Sequence, residues 1–177
     1  MRNTDCGYTG PVAKTGTAVC GLVRSSHTLP CGNTKESLPL KTHPNTGALA
    51  GVRILDMATV LAAPFGATLC ADHGAEVVKL ELPDGSDPLR GLQPVKDGVP
   101  LWWKVANRGK KGITLDVRKP QGRELLLRML AQFDVLVENF RTGTMDRWGL
   151  DAQTLLQANP RLVILRLTGF GQTGPYA

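Results

Sequence analysis

With 177 residues and a net charge of +6, from 21 lysines and arginines against 15 acids, the chain is long enough for one domain with a continuous core. Half of that excess lies before residue 49, where Arg2, Lys14, Arg24, Lys35 and Lys41 face only Asp5 and Glu36; the mildly basic remainder has no interleaved aromatic and basic stripe, which argues against a nucleic-acid partner. No apolar run reaches membrane-spanning length and no signal-peptide core follows Met1, so no membrane partner and a cytoplasmic location are expected.

Residues 1–48 carry neither helical nor alternating apolar periodicity, and Gly, Pro, Ser and Thr are scattered through them. They read as a disordered leader. Few acids with several Ser and Thr would also suit a transit peptide, which makes a mitochondrial location the alternative, although the arginines mark no amphipathic face. Cys6, Cys20, Cys31 and Cys70 form no C-x-x-C pair and His27, His43 and His73 no ligand cluster, so no metal site is expected. Cys70, between Leu69 and Ala71, reads as a small buried hydrophobe.

Residues 49–177 form the expected folded unit. A β-like run over 52–57 leads into a turn over 59–64, and Pro64 opens a helix that ends near His73. Phe65 and Leu69, four apart, are expected on its inner face, with Gly74 as left-handed C-cap and His73 closing the last turn. Residues 76–82 alternate polar and apolar, a second strand stopped by Pro83. The Gly-, Pro- and Asp-rich stretch 84–100 is long for a connection and a candidate functional loop, which Trp102 and Trp103 are expected to fasten to the core. A basic turn over 107–112 suits phosphate, although a solvated charge cluster is the commoner explanation; a strand over 113–117 follows.

Pro120 marks a helix entry, after which Leu126, Met129, Leu130 and Phe133 recur at i, i+3, i+4 and i+7, with Arg123, Glu124 and Arg128 outside. That helix feeds the stretch Asp134-Val135-Leu136-Val137-Glu138-Asn139-Phe140-Arg141-Thr142-Gly143, a buried central strand running into a loop. In open α/β sheets ligands settle just past the carboxyl ends of strands. Asn139 can orient a ligand, Phe140 can cover a flat ring, and Arg141 or Arg147 can meet an anion; a turn with a core plug is the plainer alternative. A turn of helix over 145–148, a stop at Gly149, a helix capped by Asp151 and ending near Asn159-Pro160, and a strand over 162–167 complete the series. This order implies an α/β fold with a parallel sheet and right-handed crossovers. Gly169-Phe170-Gly171-Gln172-Thr173-Gly174 matches G-x-G-x-x-G after a strand, but the dinucleotide fingerprint also needs a following helix and a later acid.

Residues 51–56 (Gly-Val-Arg-Ile-Leu-Asp), 74–81 (Gly-Ala-Glu-Val-Val-Lys-Leu-Glu), 134–143, and Asn159-Pro160-Arg161 through Gly169-Phe170-Gly171-Gln172-Thr173-Gly174-Pro175 together resemble the N-terminal portion of a class III coenzyme A transferase of CaiB/BaiF type. This is the family of formyl-CoA and succinyl-CoA:carboxylate CoA-transferases. The resemblance implies a Rossmann-like open parallel sheet with helices on both faces, incomplete here. Residues 49–177 would be the truncated N-terminal part of a large domain that, in complete members, joins a second domain and interlocks as a homodimer.

By the same resemblance CoA lies across the strand ends, and the matching contacts are Thr59, Leu61, Ala62, Leu115, Arg118, Asn139, Phe140, Thr144 and Arg147. A basic family position after the second strand is Leu82 here, with Arg90 as the nearby substitute. The phosphates of CoA ask for Arg118 and Arg147, and Asn139 suits the adenosine or pantetheine portion. The implied activity moves CoA from an acyl-CoA thioester to a carboxylic acid through an aspartyl anhydride and an enzyme thioester, with no metal and no permanently bound cofactor. The family aspartate is expected beyond Ala177; Asp56, Asp116 and Asp134 do not match it, so no catalytic residue is assigned and the chain alone is expected to be inactive. A non-catalytic CoA-binding or interaction module is the alternative function, and a dinucleotide-dependent oxidoreductase a weaker one.

Overall fold

The computed structural model describes residues 47–176, so the expectation of a disordered leader lies almost wholly outside the described residues. In chain order the elements are β1 (Arg53–Asp56), α1 (Ala62–Asp72), β2 (Glu76–Glu81), the short hairpin β3 (Val95–Lys96) and β4 (Val99–Pro100), α2 (Leu101–Ala106), β5 (Lys111–Thr114), α3 (Pro120–Leu130), β6 (Val135–Glu138), α4 (Thr144–Arg147), α5 (Ala152–Ala158) and β7 (Val163–Arg166). Five of the strands make one parallel sheet in the order β5-β2-β1-β6-β7. The expected α/β fold with helices on both faces is what the chain forms. Because the strands run outward from β1 in both directions, the connections diverge between β1 and β6 and leave a crevice at their carboxyl ends.

Strand alternation divides the core into two layers. Leu55, Leu80 and Leu136 face Leu126 and Leu130 of α3, Met145 of α4 and Leu155 of α5. Leu126, Leu130 and Phe133 of the α3 stripe thus pack as the periodicity predicts, while Met129 is only half-buried; truncating Leu126 to Ala would cost about 2–5 kcal/mol. Ile54, Val77 and Val137 face the other way, toward Ala63 and Ala67 of α1.

The expected inner face of α1 is corrected. Ala63, Pro64, Ala67 and Thr68 are buried, while Leu69 is 45% exposed and Phe65 only half-buried. The helix is apolar around much of its girth, and small residues against the sheet let its axis come close. Gly74 takes the left-handed conformation with φ of 103°, as its place after the helix requires. Cys70 is half-buried at the edge of this layer rather than fully enclosed.

The stretch 84–100 is more ordered than its composition implies: Asp87 caps a 3-10 turn over Pro88–Gly91, and the hairpin follows. Trp103 lies under Arg90, whose guanidinium carbon is 3.7 Å from the ring centroid, whereas Trp102 is 39% exposed and fastens less than expected. β5 starts inside the basic turn, at Lys111. On the α1 side of the sheet, Val163 and Leu165 of β7 pair in register with Val135 and Val137 yet remain 60% and 48% exposed.

Candidate functional site

Beyond β1 the backbone follows the sheet for one more residue, with the Met57 N–H donating to Val137 O at 2.9 Å, and then turns. The turn is held from two sides. Asn139, just past β6, accepts the Thr59 N–H with Oδ1 at 2.7 Å and donates from Nδ2 to Thr59 O at 2.8 Å, bridging the crevice. Asp87 reaches in from the 84–100 stretch and accepts the Val60 N–H at 3.0 Å. Val60 itself has φ of 62°, a region that β-branched residues seldom occupy.

Beneath this turn lies a group of buried charges. Asp56 ends β1 and accepts the Ala58 N–H with Oδ1 at 3.0 Å, while its Oδ2 is 2.7 Å from Lys110 Nζ and 3.8 Å from Lys79 Nζ. Lys110 also donates to Pro64 O at 2.6 Å, in the first turn of α1, and to Asn107 Oδ1 at 3.2 Å. Lys79 donates to Ala58 O and lies 3.7 Å from Asp87 Oδ2. Burial pushes the Lys110 ammonium below the ordinary lysine range, against the pull of Asp56. A cavity of about 20 Å³, water-sized, is enclosed by Thr59, Lys79, Ser86, Asp87 and Phe140 among others.

On the other flank, Glu138 is buried at the end of β6 and accepts the Phe140 N–H at 2.8 Å, which closes the loop on itself. Burial raises its carboxyl above the usual range, opposed by the Phe140 N–H and by Arg166, whose Nε lies 3.4 Å away. Phe140 packs edge-on against Trp148, centroids 5.0 Å apart. Outside them, residues 139–142 and 168–171 with Tyr176 line an open cleft of about 360 Å³.

The surface cations divide sharply. Arg118 is 2.6 Å from Asp84 and 2.8 Å from Asp116, and these carboxylates raise the guanidinium above its usual range. In return, Ser86 and Arg118 hold Asp84 below the carboxylate range, and Arg118 does the same to Asp116. Arg90 forms a fork with Glu81 at 2.7 and 2.8 Å. In the basic turn Arg108 pairs with Asp72 and Lys111 with Glu76, leaving that turn no open phosphate cradle. Arg147 only donates to the Thr144 hydroxyl at 2.9 Å, and among the described residues neither Arg141 nor Arg147 has a carboxylate partner.

Comparison with known proteins identifies the arrangement. The family model described as CoA-transferase family III matches residues 49–177. The chain belongs to CoA-transferase family III. It is 49% identical over 129 residues to the succinyl-CoA–L-malate CoA-transferase beta subunit of Chloroflexus aurantiacus, covering 72% of this chain and 32% of that protein. It is 40% identical over 136 residues to the succinate–glutarate CoA-transferase of Agrobacterium fabrum, covering 73% and 34%. A CAIB/BAIF family protein from Brucella suis has a crystal structure that superposes with a TM-score of 0.66 at 43% identity, covering 73% of this chain and 35% of that one. The chain thus spans about a third of the length of the relatives it matches.

The positions that the family resemblance implied fall in the segments that follow strands β1, β5 and β6. Thr59, Leu61 and Ala62 follow β1, Leu115 and Arg118 follow β5, Asn139 and Phe140 follow β6, and Thr144 and Arg147 begin and end α4. The chemistry expected of two of them differs, however. Asn139 directs both amide groups to Thr59, so it sets the crevice wall, and Arg118 is already neutralised by two acids. Arg90, the expected substitute for a cation at Leu82, is likewise held by Glu81. Sequence reading missed Asp56, Lys79, Asp87 and Lys110 as a unit. The one local sign was a lysine at an inward position of the alternating strand β2. Residues 169–176 form bends and turns and the glycines among them open no helix, unlike the second glycine of a dinucleotide fingerprint. Among the described residues no cluster of His, Cys, Asp or Glu could hold a metal, and no helix is long and apolar enough to cross a membrane.

Proposed function

We propose that residues 49–177 supply the CoA-binding crevice of a class III CoA-transferase, which moves CoA from an acyl-CoA thioester to a carboxylic acid. The observation that carries this reading is the open cleft lined by Phe140, Arg141 and the glycine-rich loop, with Arg147 close by in sequence on α4 and both arginines without acidic partners. Arg147 is the preferred partner of a CoA phosphate because a guanidinium free of carboxylates keeps its full charge for a ligand. Thr59, Leu61, Ala62 and Leu115 would line the path of the ligand, and Phe140, fixed by Trp148, offers a flat apolar face.

Transfer itself needs a carboxylate that attacks the thioester carbonyl, releases CoA as thiolate and leaves an acyl-enzyme anhydride, which the thiolate then attacks to give the enzyme thioester and release the donor acid. The acceptor carboxylate must then attack that thioester, expelling CoA thiolate and forming a second anhydride, whose acceptor carbonyl the thiolate attacks to give the new acyl-CoA and free the enzyme carboxylate. No aspartate considered for this task is suited to it here. Asp56 is enclosed by two lysines, Asp116 is paired with Arg118, and Asp134 accepts the Arg53 N–H at 2.8 Å at the opposite, amino edge of the sheet. By the family resemblance, the nucleophile belongs to the part that the relatives possess and this chain does not span.

Equilibrium dialysis with CoA beside a thioester-transfer assay, using succinyl-CoA and a panel of dicarboxylates, tests the reading. Binding without transfer is expected. Sustained transfer by the purified chain would place a nucleophile within it, and absence of CoA binding would overturn the crevice assignment.

A further inference from the structure

We propose that Asp87 is a positioning residue for CoA, holding the Thr59-Val60 turn in the shape that presents Thr59, Leu61 and Ala62 to the ligand. The ligand in this statement rests on the CoA reading above; the geometry does not. Val60 sits at φ of 62°, and a β-branched residue stays there only where its surroundings force it. Its N–H is taken by Asp87 Oδ1 at 3.0 Å, and the same oxygen accepts the Leu89 N–H at 3.0 Å. One carboxylate oxygen thus joins the turn after β1 to the 3-10 turn at Pro88–Gly91.

The rest of the surroundings fix Asp87 and the turn in place. Asp87 is 5% exposed, and its Oδ2 makes no hydrogen bond but faces Lys79 Nζ at 3.7 Å. Lys79 in turn holds Ala58 O, Asn139 holds both backbone groups of Thr59, and Lys110 holds Pro64 O beyond the turn. Val60 is therefore gripped through Asp87 while its neighbours are gripped by other groups. Removing Asp87 leaves those other grips in place but frees Val60, whose conformation is unfavourable, so that Thr59, Leu61 and Ala62 are no longer held together in one shape. A mere cap would serve Leu89 alone.

The test is amide hydrogen exchange at Val60 and Leu89 by NMR, together with CoA affinity by calorimetry. It uses the chain, Asp87→Ala, Asp87→Asn and the double variant Asp87→Ala/Val60→Gly, with thermal melts to confirm folding. Losing a charge-assisted bond should speed Val60 exchange roughly tenfold or more and weaken CoA by a similar factor. Asp87→Asn, which keeps an oxygen acceptor, should restore most of both, and this variant carries the test if Asp87→Ala does not fold. Glycine at position 60 removes the positive-φ cost, so the double variant should bind CoA more tightly than Asp87→Ala. Unchanged Val60 exchange in folded Asp87→Ala, or faster exchange with unchanged CoA affinity, would overturn the inference. A wild-type chain that binds no CoA would instead overturn the CoA reading, and Val60 exchange would still report whether Asp87 holds the turn.

Discussion

On the β2 and β5 flank of the crevice, Lys79, Lys110, Arg90 and Arg118 each meet a carboxylate, whereas on the β6 flank Arg141 and Arg147 meet none. Arg90 and Arg118 follow strands, and Lys79 within β2 and Lys110 just before β5 reach the end of β1 with their side chains, yet these four are matched by acids of the fold while Arg141 and Arg147 are not. The difference teaches that a basic residue past a strand end is an anion site only if the fold has not already supplied its acid. It also separates two kinds of pairing. Lys110 and Asp56 are both buried and cannot be solvated if parted, while Arg118 and Asp84 are exposed and can be.

The largest expected effect follows from that burial. Asp56→Ala leaves two buried ammonium groups without their shared acid and should destabilise the chain by about 3–5 kcal/mol in urea unfolding. Asp84→Ala, which parts an exposed pair, should leave the unfolding midpoint unchanged. Equal losses for the two would erase the distinction between the pairs.

Next comes the contrast between arginines. Arg147→Ala should weaken CoA binding by about 1–3 kcal/mol, and by more for CoA than for dephospho-CoA or pantetheine, because the lost bond is charge-assisted. Arg118→Ala should cost less, since its guanidinium is already matched by Asp84 and Asp116. The reverse order in calorimetric titrations would break the comparison of flanks, and equal losses for all three ligands would point to a packing defect around α4.

The smallest effect concerns pH. Glu138 has a raised carboxyl pKa, chiefly from burial, so the folded chain binds its proton more readily than the unfolded chain. Its ionisation therefore opposes folding, and as pH falls through the raised value toward the ordinary 4.5 this group adds stability. Glu138→Gln should remove that contribution while its amide oxygen still accepts the Phe140 N–H. Urea midpoints at neutral and mildly acidic pH should show a difference between variant and wild type that shrinks on one side only. A pH-independent difference would assign the change to the contact with Arg166.

Local chemistry is enough for much of the architecture. Period-two alternation in β2, the i, i+3, i+4, i+7 stripe of α3, Gly74 beyond α1 and Asp151 accepting the Thr154 N–H at 3.0 Å depend on neighbours within a few residues, so they are legible along the chain. The sequence of strands and helices likewise determines a parallel sheet, because right-handed crossovers leave few alternatives. Which face α1 buries was not legible, since Ala63 with Ala67 and Phe65 with Leu69 both repeat at four residues; only closeness to the sheet selects the smaller pair. Nor could the chain say which cations remain available. Lys110 and Asp56 are 54 positions apart, and Asn139 and Thr59 are 80 apart. Such partners are brought within hydrogen-bond reach only when the strands assemble, and the free energy of a charge depends on that final burial rather than on its place in the sequence.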